Sequence, residues 1–143
     1  MCLRYKRLCS IIVPVSLRLS FVLDGCVMSK RIKKYLELLK ILKTAKPAQR
    51  KVLLQVADNG LIYCLCECID NVLRGNVKLT PAKKRELAKY IHLLRKIANR
   101  KTKIDHKRTL LVQNGGFLPA LLAPVIGIAG SLIGDLIGNL IHK

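Results

Sequence analysis

Between Lys78 and Arg108 the chain carries 12 lysines and arginines against two acids, Glu86 and Asp105. Cations at this density do one kind of chemistry well. They hold polyanions, displacing the counterions that surround phosphates. The residues placed to do so are Lys83, Lys84, Arg85, Lys89, Arg95, Lys96, Arg100, Lys101, Lys103, Lys107 and Arg108. The plain alternative is a solvated helix face, but such a face normally mixes both signs. No Asn, Gln and Arg set stands in a base-reading frame. The expected partner is therefore double-stranded DNA, gripped by its backbone without sequence preference. Aromatics make up 4% of the chain and Trp is absent, which argues against stacking on unpaired bases.

Catalysis finds little support in the sequence. His92 has Arg95 and Lys96 for neighbours, Glu67 and Glu86 are isolated, and no nucleophile is paired with a base. There is no Walker loop, no HExxH and no paired-cysteine zinc motif. We expect no enzyme activity, no cofactor and no metal. The six cysteines are Cys2, Cys9, Cys26, Cys64, Cys66 and Cys68. Cys64 and Cys68 share one side of a helix while Cys66 points elsewhere, so the three cannot converge on one metal without unwinding. They read as small buried residues in a reducing compartment.

The elements that must position the cations are helical. A length of 143 residues, 51% of them hydrophobic, with a net charge of +19, predicts one small all-α domain with extensions. Residues 1–28 form an N-terminal extension, disordered or spurious. Their basic start and apolar run resemble a signal peptide, but Pro14 and Arg18 interrupt the run and no small-residue cleavage site follows. Ser29 is an N-cap for a helix to Lys43, with Ile32, Tyr35, Leu36, Leu39 and Leu42 inward. Pro47 opens a second helix to about Ala57, with Val52, Leu53 and Val56 inward. After Asp58-Asn59-Gly60, a third and most apolar helix runs to Arg74 and should be the buried one, stopped by Gly75.

Thr80-Pro81 opens a fourth helix to about Asn99, with Leu87, Ile91, Leu94 and Ala98 facing the core. A shorter helix from Lys103 to Val112 is anchored by Ile104 and Leu111. Residues 29–112 thus form a basic helical domain, expected to be soluble and helical alone. Residues 113–116 contain the diglycine, a hinge or cleavage site, and 117–143 form an apolar tail. From Phe117 to Gly134 there are 18 residues without a charge, about the lower limit for a membrane span. Pro119 and Pro124 imply a continuous helix only from about Pro124. Gly130, Gly134 and Gly138 then lie four apart, a ridge along which another helix can approach for self-association.

The run Gly115-Gly116-Phe117-Leu118-Pro119, followed by Leu121 or Leu122, Pro124, Ile126, Ala129 and Gly130, resembles the C-terminal segment of the adenovirus late core protein X family. The resemblance covers roughly residues 107–131. It implies an origin in an adenovirus-related virus or a virus-derived mobile element. It also implies a late, DNA-condensing virion core protein found in the virion core or the host nucleus. A viral protease partner cutting after Gly116 follows from the same resemblance; Gln113 stands where that protease prefers a large aliphatic residue. The other reading is a membrane-active or membrane-anchored protein. Its Gly-rich helix would enter an intracellular membrane while the basic body holds anionic headgroups.

Overall fold

The computed structural model describes residues 29–141, with the side-chain surroundings given as far as Ala129. The N-terminal extension, with Cys2, Cys9 and Cys26, lies outside the described residues. The helix that carries Gly130, Gly134 and Gly138 reaches Ile141, but the surroundings of those glycines also lie outside them. The described residues are helical, with no strand among them, as the periodicities predict.

Helix α1 (Lys30–Thr44) starts where Ser29 caps it, the serine oxygen accepting from the Ile32 N–H at 3.2 Å. It buries Ile32, Tyr35, Leu36, Leu39 and Leu42, the whole predicted stripe. Helix α2 (Pro47–Val56) follows after a two-residue break. Here the expected face is wrong: Val52 and Val56 are 57% and 77% exposed, Leu53 is half-buried, and Arg50 and Leu54 are buried instead. The cause lies at the end of α1. The Arg50 guanidinium turns inward, donating to Leu42 O at 3.0 Å, Ala45 O at 2.8 Å and Gly115 O at 3.0 Å. These include carbonyls that a helix without a terminal glycine leaves unpaired.

Helix α3 (Asn59–Leu73) is the central one, in contact with α1 and with three later helices, and most of its residues are buried. Asp58 caps it, accepting from the Leu61 N–H at 3.0 Å and from the Tyr35 hydroxyl at 2.6 Å. Gly60 leaves room for that hydroxyl, which a Cβ there would force to shift. At the other end Gly75 takes a φ of 73°, Gly75 N bonds Val72 O and Asn76 N bonds Asn71 O. This is the glycine stop read from the sequence. All three described cysteines are buried on α3. The Cys64 thiol and burial push the Cys68 thiol well up, while burial raises Cys66 against the pull of Lys107.

The Tyr35–Asp58 pair should make the domain's stability respond to pH at both extremes. The hydroxyl, and then the Leu61 N–H, hold the Asp58 carboxyl below the usual carboxylate range; the same bond raises the Tyr35 phenol. A lowered acid pKa confers stability that is complete above about pH 4 and lost as pH falls through the folded value. A raised phenol confers stability present below about pH 10 and lost above it. Tyr35→Phe should therefore flatten the alkaline fall in Tm and reduce the acid one, measured by thermal melts across pH. An unchanged profile would show the pair to be energetically idle.

The fourth predicted helix is two. Helix α4 (Pro81–Ala88) ends at a turn through Lys89 and Tyr90, and helix α5 (Ile91–Ala98) starts afresh. Leu87, Leu94 and Ile97 are buried, while Ile91 and Ala98 are half-buried. No glycine or proline marks the break. It sets the Tyr90 ring 5.6 Å from the Phe117 ring, a contact the sequence does not announce. Helix α6 (Ile104–Asn114) then meets α2 and α3.

The largest correction concerns the boundary at the diglycine. Gly115–Phe117 forms one 3-10 turn that joins α6 to helix α7 (Leu118–Ile141). Proline is accommodated at Pro119 in the first turn; Pro124 lies inside the helix, leaving the Ala120 carbonyl without its usual N–H donor. Phe117, Leu118, Leu121, Leu122, Val125 and Ala129 are all fully buried, and α7 packs most extensively on α1, then on α3 and α4. Residues 117–129 are therefore core, not a tail apart from a body that ends at residue 112. Burial explains the order: five large apolar side chains, each stabilising by about 1.5–3 kcal/mol when covered, bind the segment to the domain.

Candidate nucleic-acid interface

Thr80 caps α4, its hydroxyl accepting from the Lys83 N–H at 3.4 Å, and Pro81 fits the first turn. Only Leu87 of this helix is buried. Lys84 and Arg85 are left exposed, and Lys83 is half-buried. Lys89 is exposed in the turn before α5. On α5 the buried pair Leu94 and Ile97 leaves Arg95 and Lys96 in solvent.

The connection from α5 to α6 is pinned by its own polar side chains. Asn99 Oδ1 accepts from the Lys101 N–H at 3.0 Å, and the Thr102 hydroxyl donates to Lys96 O at 2.9 Å. Such local bonds hold a turn open to solvent without a core of its own. Arg100, Lys101 and Lys103 are displayed on it, all exposed. Eight of the predicted cations are thus exposed on α4, α5 and the two turns that follow them. Among the described residues, ion pairs join Arg31 to Glu67, Lys40 to Glu37 and Arg74 to Asp70, none within this stretch.

Two predicted cations are used inside the protein. Lys107 is 5% exposed and lies beside Cys66 of α3. Arg108 donates to Ala57 O and Leu54 O at the end of α2, and to Asn59 Oδ1 at 2.8 Å at the start of α3. It does for α2 what Arg50 does for α1, and a cation suits the negative end of a helix dipole. Sequence reading missed this because the carbonyls it serves lie some 50 residues earlier and carry no side-chain signature. Reading the stretch for phosphates also passed over α1, where Lys30, Lys33 and Lys34 are exposed.

The diglycine is not an extended segment. Gly115 is half-buried with its carbonyl held by Arg50, and Gly116 is exposed. A cavity of about 300 Å³ adjoins them, lined by residues that include Arg50, Lys51, Leu54 and Leu111. No protein-family model matches this chain, nor does any curated protein or solved structure match it.

Proposed function

We propose that this chain binds double-stranded DNA by its phosphates, without reading sequence, and packs it as a core protein of a particle. One observation carries the reading: eight exposed cations between Lys84 and Lys103, with no ion-pair partner among the described residues. A surface lined by one sign is repelled by itself and stabilised by a polyanion. The packing role and its setting, a virion core or a host nucleus, draw their support from the resemblance around the diglycine. A protease acting after Gly116 would first have to open the junction, because cleavage sites are read as extended backbone and this one is a helical turn.

If about eight phosphates are neutralised, affinity should fall with salt at a log–log slope near −7. Replacing Lys84, Arg85 and Lys89 together with Gln should lower the slope by about 3 and weaken unrelated duplexes of equal length alike. Fluorescence anisotropy across a salt series measures both. A slope unmoved by the triple variant, or a strong preference for one duplex, would overturn the reading.

The membrane reading has one observation in its favour. Within the helical run Ile104–Ala129 an 18-residue window is apolar enough by length and composition to cross a bilayer, with a mean hydropathy of 1.5 and 39% of it buried. The core helix of a soluble protein passes the same test. Here Phe117, Leu118, Leu121, Leu122 and Val125 are covered by other helices, and entering lipid would strip them from that core. This favours DNA over membrane as the partner of the described domain.

A further inference from the structure

The chain holds five prolines, and Pro81 alone among them follows a hydroxyl residue, in the run Thr80-Pro81-Ala82-Lys83. Proline-directed serine/threonine kinases read this pattern. A proline after the acceptor has no N–H to leave unpaired in an apolar cleft, and the lysine beyond it suits an acidic partner.

The fold leaves this threonine open. Thr80 is exposed, and its backbone is extended, with φ −66° and ψ 154°. Residues 76–80 lie outside any helix and are anchored in the core by Val77, which is 3% exposed. Beyond Thr80, Pro81 and Ala82 are exposed and Lys83 is half-buried, so the first turn of α4 can open without uncovering core. The cap bond that closes this turn, from the Lys83 N–H to the threonine oxygen, is long at 3.4 Å. Other threonines are engaged differently. The hydroxyls of Thr44, Thr102 and Thr109 donate to helix carbonyls, whereas that of Thr80 accepts.

We propose that Thr80 is the phosphoacceptor of a proline-directed kinase and that its phosphate loosens the hold on DNA. In the step itself the threonine oxygen attacks the γ-phosphorus of ATP. The bond to the β–γ bridging oxygen breaks, ADP leaves, and the hydroxyl proton passes to the kinase's base. The product carries a charge of about −1.5 to −2. It stands at the start of α4, where the first-turn N–H groups and the helix dipole favour an anion. The helix is therefore kept, and charge is what changes. Lys78 and Lys84 are exposed close by along the chain, and a phosphate between them draws on cations that would otherwise meet DNA. With about two of roughly eight contacts offset, the log–log salt slope should shrink by about 2 and affinity near 0.15 M salt should fall roughly 30-fold. This consequence rests on the DNA reading; the modification does not.

Two measurements test it, both on the full chain. First, the protein is treated with a purified cyclin-dependent kinase and ATP, and intact mass with peptide mapping reads the product. One phosphoryl group on Thr80 is expected. Pro81→Ala keeps the threonine cap, substitutes a good helix former and should lose the modification. No phosphate on Thr80, or equal modification of Pro81→Ala, overturns the site. Second, treated and untreated protein are compared by anisotropy on one short duplex across a salt series, and by circular dichroism. The treated protein should bind roughly 30-fold more weakly at equal helicity, and phosphatase should restore it. Thr80→Asp, which keeps a capping oxygen and carries one charge, should weaken binding about fivefold. A phosphate that leaves affinity and slope unchanged, or that acts by lowering helicity, overturns the release. If the untreated chain binds no duplex, the DNA reading fails and the mass measurement alone decides the site.

Discussion

A chain ending at Gly116 should have no cooperative thermal transition and should show most of its amides unprotected. The cut removes Phe117, Leu118, Leu121, Leu122 and Val125, each fully buried, and with them the packing of α7 on α1, α3 and α4. At about 2 kcal/mol apiece these side chains contribute on the order of 10 kcal/mol. A small domain has a net stability of about 5–15 kcal/mol, so the loss consumes most or all of it. Ending the chain after Ala129 keeps the described core and should keep the transition. Circular dichroism melts of the two truncations make the comparison. A cooperative melt from the shorter one would mean that residues 117–129 are a detachable tail after all.

Arg50→Met should destabilise the domain by roughly 3 kcal/mol or more, read from urea unfolding. The substitution removes donors to Leu42 O, Ala45 O and Gly115 O from a site where the arginine is only 6% exposed. A buried carbonyl left without a partner costs about 1–3 kcal/mol; the bond to Leu42 O is buried and those to Ala45 O and Gly115 O are part-buried. Methionine recovers some apolar burial, on the order of 1 kcal/mol, and so the carbonyls decide the sign. Arg50→Lys should fall between, since one ammonium cannot span three acceptors in the fork geometry of a guanidinium. Lys51→Met, one residue along and exposed, should stay within about 0.5 kcal/mol of the wild type. If Arg50→Met and Lys51→Met are alike, the three bonds contribute nothing net.

The parts of the fold readable in the sequence are those with local causes. Ser29, Asp58 and Thr80 cap the helices that follow them, Gly75 ends α3, and the stripe of α1 is buried as spaced. The parts that could not be read depend on distant partners. Val52 and Val56 look inward on α2 until Arg50 is known to serve carbonyls of α1 and of the diglycine turn. Pro119 and Pro124 suggest a late helix start, yet burial of Phe117, Leu118, Leu121 and Leu122 carries the helix through both. The basic surface was legible as composition from Lys83 to Lys103. The assignment failed at Lys107 and Arg108, where packing of α6 on α2 and α3 gives the cations internal work. Charge can be counted along a sequence, whereas its destination depends on which carbonyls the fold leaves bare.

The close packing of α7 on α1 bears on the interval before the domain is complete. These helices stand at opposite ends of the described residues, so α1, which α3 covers in part, is covered fully only after a long loop has closed. Contacts of such separation form late and slow folding. Until then the stripe of Ile32, Leu36 and Leu39 is incompletely covered, the kind of apolar surface through which unfinished chains aggregate. A net charge of +19 acts on those unfinished chains as strongly as on finished ones. The repulsion that suits the surface to a polyanion also keeps nascent copies apart while α1 waits for its partner.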